Sequence, residues 1–213
     1  MKGLQHGFVA GLRFTGMPQF RAASGEYVDL PPEPWGTGVP MDALCVAQCI
    51  ALAGYDAKAG LAAPPFALTG PHALQSWLSS NCPRHQVEAN PASSDRPAAI
   101  GSAVQRALWA DGLALLQLQP ARGGSVRRWA LITGVEWRAH GQGNDEIKSL
   151  LLLDPAEPWV WACGHNARLS LAAQSWGPGR ACYRWVSLGG GLQPVRIAGL
   201  VTMVPVSPPP SAA

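Results

Sequence analysis

Met41-Asp42-Ala43-Leu44-Cys45-Val46-Ala47-Gln48-Cys49-Ile50-Ala51-Leu52-Ala53-Gly54 reads as a buried helix. Pro40 and Asp42 are start signals, and Gly54 is a stop. Leu44, Gln48 and Leu52 recur at the four-residue spacing of one helix face, and Cys45, Cys49 and Ala53 form the stripe beside it. Cys45 falls in the first turn, where unpaired N–H groups and the helix dipole favour a thiolate over a thiol. A nucleophile belongs at such a position. So does a small core residue, and the surrounding chain has to separate the two readings.

Upstream, residues 1–40 form an N-terminal extension with a short strand candidate at 8–14 and the irregular run Pro31-Pro32-Glu33-Pro34-Trp35-Gly36-Thr37-Gly38. Downstream, residues 72–80 predict a short helix with Leu74, Trp77 and Leu78 on one side. Residues 81–97 are polar, hold three prolines and read as a loop. A stronger helix spans 98–110, with Ile100, Val104 and Leu108 four apart and Asp111-Gly112 ending it. The period then changes. Residues 113–119, 126–137, 147–153, 183–188 and 196–204 are strand candidates, separated by Gly123-Gly124, Gly177-Pro178-Gly179 and Gly189-Gly190-Gly191. Helices first and strands second predict the α+β class: a helix carrying Cys45 packed on an antiparallel sheet that includes 126–137 and 147–153. One domain, 41–205, is expected, followed by a loose tail at 206–213.

Composition narrows the function classes. Apolar residues make up 47% of the 213 and charged residues 14%, so the chain is not a disordered one. Net charge is 16 − 13 = +3 with no basic run, which leaves nucleic-acid binding without electrostatic support. The apolar stretch 7–12 is broken by Arg13, is too short to cross a membrane and lacks a cleavage pattern. A cytoplasmic location is expected, or export by a route without a cleavable signal. The five cysteines are odd in number and their spacings form no disulfide framework, which suits free thiols. Cys82-Pro83-Arg84-His85 and Cys163-Gly164-His165 hold zinc-ligand types, but the second pair is too tightly spaced, and no metal or cofactor is expected. Pro158-Trp159-Val160-Trp161 is the densest aromatic cluster. Trp159 and Trp161, with Trp129, are candidate binding residues, and the alternative for each is packing.

Three segments in this order carry a resemblance. Residues 42–51, Asp-Ala-Leu-Cys-Val-Ala-Gln-Cys-Ile-Ala, resemble the nucleophile helix of papain-like peptidases of the bacteriocin-processing, C39-like group. Arg128-Trp129-Ala130-Leu131-Ile132-Thr133-Gly134-Val135 resembles their histidine strand, and Leu151-Leu152-Leu153-Asp154-Pro155 their next strand. The resemblance implies a papain-like fold over roughly residues 40–155. It assigns Cys45 to the nucleophile and Asp154 to the acid that orients the histidine.

Three positions depart from the pattern. Arg128 stands where the family has its histidine, and Val39 where it has a glutamine that donates to the oxyanion. Val46 also replaces the glycine after the nucleophile. Arginine stays protonated, so it cannot take a proton from Cys45. A missing oxyanion donor typically costs about two to three powers of ten in rate. His165 is the alternative base among His6, His72, His85, His140 and His165. The implied function is a pseudo-peptidase that binds a peptide or protein partner. The alternative is an active cysteine peptidase or acyltransferase with a non-standard base. Arg128 and Asp154 are expected to form an ion pair beside Cys45.

Overall fold

The computed structural model describes residues 13–16, 41–55, 70–90, 96–121, 127–138, 146–155, 157, 165–174 and 182–206. Three helices precede most of the strands: α1 (Met41–Leu52), α2 (Pro71–Asn81) and α3 (Pro97–Trp109). The strands are β1 (Arg13–Gly16), β2 (His85–Asn90), β3 (Leu113–Pro120), β4 (Arg128–Arg138), β5 (Glu146–Leu153), β6 (Ala167–Gln174), β7 (Cys182–Ser187) and β8 (Leu192–Pro205). Gly54, with φ +78°, takes up the left-handed conformation that ends the α1 region.

The predicted α+β class is overturned. Strand predominates over helix, and β3 to β8 close into a six-stranded antiparallel barrel rather than a papain-like helix on an open sheet. The ring runs β4-β3-β8-β7-β6-β5 and returns to β4. Two strands missing from the expected set explain the error. Residues 85–90 form β2, an added strand on β8, where a loop was expected. More important is β6, which joins β5 on one side and β7 on the other. Without it the sheet stays open; with it the ring closes and its edges disappear. Bulges at Gln117/Leu118, Ile132/Gly134 and Glu136/Trp137 let the strands turn the corners.

Register sorts the side chains. Leu116, Leu118, Arg128, Ala130 and Ile132 share one face of β3 and β4. Leu150, Leu152, Ala167, Leu169, Tyr183, Trp185, Val195 and Ile197 continue it around the ring, and all of these apolar residues are buried. This is the barrel interior. Helix α3 packs against β3, β4, β5, β6 and β8. Its approach to β5 needs Gly101, because a Cβ there would stand 2.9 Å from Cβ of Ile147.

The opposite face of β3 and β4 carries Leu115, Gln117, Trp129 and Leu131, in line with Val201 and Met203 of β8. Helix α1 packs on β4 and β3, and its Cys49 sulfur lies 3.7 Å from that of Met203. So α1 covers the outside of the barrel. Helix α2 packs on β2 and β8, where Gln75 Nε2 donates to the Val87 carbonyl at 3.0 Å. No described helix is long and apolar enough to cross a membrane.

Candidate functional site

Arg128 opens β4, Asp154 follows the last residue of β5, and Asn166 precedes the first residue of β6. The register of these strands brings all three to one end of the barrel. Arg128 Nε donates to Asp154 Oδ2 at 2.8 Å. The Asp154 side chain is fully buried and that of Arg128 is 18% exposed, so the pair is held largely out of water. Arg128 Cζ also sits 4.9 Å from the centre of the Trp185 ring, a cation–π distance.

Asn166 fixes the backbone around the acid. The Asp154 N–H donates to Asn166 Oδ1 at 2.7 Å, and Asn166 Nδ2 donates to the carbonyls of Asp154 (2.8 Å) and Glu157 (3.3 Å). Its main chain ties neighbouring strands together: Asn166 N–H donates to Leu152 O, and Leu188 N–H donates to Asn166 O, both at 2.9 Å. Asn166 and Trp185 were not among the residues picked from the sequence. The one signal for Asn166 in the sequence is a lone amide just before the alternating run Ala167-Arg168-Leu169-Ser170-Leu171.

Two of the predicted site residues, Arg128 and Asp154, are thus brought together. The pair lies at the interior face of β4, whereas the neighbouring Trp129 belongs to the face that α1 covers and is fully buried in the core there. Cys45 is also fully buried, on α1, among Val46, Cys49 and Ile50. Its surroundings are the outer seam of the barrel. His165 is half-buried and adjoins Asn166 in sequence, at the same barrel end as Asp154. Trp159, Trp161, Val39, Cys163, His6 and His140 lie outside the described residues.

Electrostatics in the outer seam oppose thiolate chemistry. Burial pushes the Cys49 thiol far above its usual range, and the neighbouring Cys82 pushes it further. Burial also raises the Cys82 thiol to about 11, against a smaller opposing effect of Arg84. His85 is committed elsewhere. Arg84 N–H donates to Tyr55 Oη at 2.8 Å, and Tyr55 Oη in turn lies 3.0 Å from His85 Nδ1. Burial, with Arg84 beside it, lowers the His85 pKa below its ordinary 6.5. Among the described residues, no group of three or more His, Cys, Asp or Glu side chains is placed to hold a metal ion.

A concave surface among the described residues lies outside the barrel interior. It is an open groove of about 270 Å³ between α3 and the β2/β8 pair, with Glu88 and Arg106 among its walls beside the amides of Gln86 and Asn90. No protein-family model matches the chain, and no curated protein matches it.

Proposed function

We propose that this chain is a binding module for a peptide or protein segment and has no peptidase activity. The observation that carries the reading is the commitment of Arg128. It occupies the position that the C39-like pattern gives to the histidine, and it donates to a fully buried Asp154 at 2.8 Å. A guanidinium held there neither accepts a proton nor returns one to a leaving amine. Full burial of Cys45 supports the same reading, since a thiol without solvent contact is out of reach of a macromolecular substrate. The resemblance is proposed for the three segments alone, not for the fold. The groove between α3 and β2 gives the binding half of the proposal a surface with both charges and amide donors.

The test is incubation of the whole chain with unstructured peptides, read for cleavage by mass spectrometry and for binding by fluorescence anisotropy. Binding without cleavage is expected. Turnover that disappears in Cys45→Ala would refute the reading in favour of a cysteine hydrolase or acyltransferase. His165 is then the first base to replace, because it adjoins the residue that clamps Asp154.

A further inference from the structure

The Arg128 end of the barrel holds two hydrogen-bond donors with nothing to donate to. Arg128 Nη2 and Trp185 Nε1 are both buried and both lack a partner. Trp185 is 1% exposed. The two donors sit on neighbouring groups, because the guanidinium carbon stands 4.9 Å from the indole centre. Asp154 accepts from Nε of the guanidinium, and Nη2 has no acceptor.

Such donors are costly when unserved, about 1–3 kcal/mol each. Neither can change role. A guanidinium and an indole N–H only donate, so what they need is an acceptor. A charged donor favours an anionic acceptor, with shorter and stronger bonds than a neutral one. A planar carboxylate has two oxygens, one for each N–H. Its route is along Arg128, whose side chain keeps 18% of its surface in solvent. Among the described residues, the Asn166 amide is engaged by Asp154 and Glu157, and the Ser187 hydroxyl accepts from Gly191 N–H.

We infer that the Arg128–Trp185 end of the barrel is a binding site for a carboxylate, supplied by a chain terminus, an acidic side chain or a free small acid. Asp154 holds the guanidinium in place and shares its charge, so the site binds weakly and loses affinity as salt rises. The inference goes beyond the absence of peptidase activity and does not depend on it.

The experiment uses the whole chain labelled with 15N and follows the Trp185 indole N–H, assigned by its disappearance in Trp185→Phe. Acetate is titrated against chloride at matched ionic strength. Acetate should shift that resonance saturably and chloride should not. Acetate should also raise the melting temperature of the wild type, as any ligand of the folded state does. That increase should vanish in Trp185→Phe, which keeps the ring packing and removes one donor. In Arg128→Lys the acetate midpoint should rise at least tenfold.

A peptide with a free C-terminus and an amidated peptide carrying one internal Glu then separate the sources. Whichever moves the resonance names the carrier, and movement by acetate alone names a free small acid. An indole resonance indifferent to acetate overturns the inference and leaves the two donors to buried water. So does acetate stabilisation that survives undiminished in Trp185→Phe.

Discussion

One residue step along β4 separates two unlike environments. Arg128 points to the barrel interior, where it meets Asp154 and the Trp185 ring. Trp129 points outward, to the seam under α1 where Cys45, Cys49, Cys82 and Met203 are packed in apolar surroundings. The interior end is polar yet dry, held by the Arg128–Asp154 pair and the Asn166 amide while two donors, Arg128 Nη2 and Trp185 Nε1, stay unserved. The seam is just as dry but holds sulfur, which needs little hydrogen bonding. Equal burial therefore has opposite consequences. At the barrel end it strengthens an ion pair, provided both members are present. In the seam it suppresses ionisation of the Cys49 and Cys82 thiols.

The largest expected effect comes from breaking the ion pair. Arg128→Met removes the guanidinium from the buried Asp154 charge, and should destabilise the fold by about 3–5 kcal/mol. The double variant Arg128→Met/Asp154→Leu should recover much of that loss. Urea unfolding of the four members of the cycle measures it. Strictly additive losses would show that the pair is not coupled and that the barrel end does not differ from the seam.

Asn166→Ala should cost about 2–3 kcal/mol, because it leaves the buried N–H of Asp154 without an acceptor and frees two carbonyls. A cost near zero in the same unfolding assay would mean that the polar clamp is not what orders this end. In the seam the contrast should reverse, with polarity itself the injury. Cys49→Ser adds a hydroxyl to an apolar site and should cost about 1–2 kcal/mol, whereas Cys49→Ala should cost less. Equal losses in the two variants would place volume above polarity there.

The smallest effect concerns pH. The folded chain holds the His85 pKa below 6.5, so the unfolded chain takes up its proton more readily. The stability tied to neutral His85 is complete above about 6.5 and falls as pH drops toward the lower folded value. The melting temperature should therefore decline from pH 7.5 to 5.5, and His85→Gln should flatten part of that slope. An unchanged slope would remove His85 from the account.

Much of the local structure was legible in the chain. The three helices follow apolar spacings of three and four residues, and their ends follow Pro71, Pro97, Gly54 and Gly112. Gly112 shows why an end can be absolute: a Cβ there would collide with the Met203 carbonyl. The strands β4, β7 and β8 are rich in β-branched and aromatic residues, and β3 and β5 are short leucine-rich runs bounded by turn residues, so each announces a strand without help from its neighbours. The partnership of Arg128 with Asp154 was also accessible, since adjacent strands and opposite charges require only local register.

What the tertiary structure alone decided is closure. In β2 and β6, polar residues alternate with Val87 and Ala89, or with Leu169 and Leu171. Such weakly apolar strands are specified by the neighbours they pair with rather than by propensity. Closing the ring gave every residue of β4 and β8 an inside and an outside, and with it the fate of each motif. Arg128 went to the interior and the stripe of Cys45 and Cys49 to the outer seam. No spacing along the chain encodes that division, because it depends on which distant strands share hydrogen bonds. The clamp of Asn166 on Asp154 and the ring of Trp185 under Arg128 arise the same way, between residues 12 and 57 positions apart that only the closed barrel brings together.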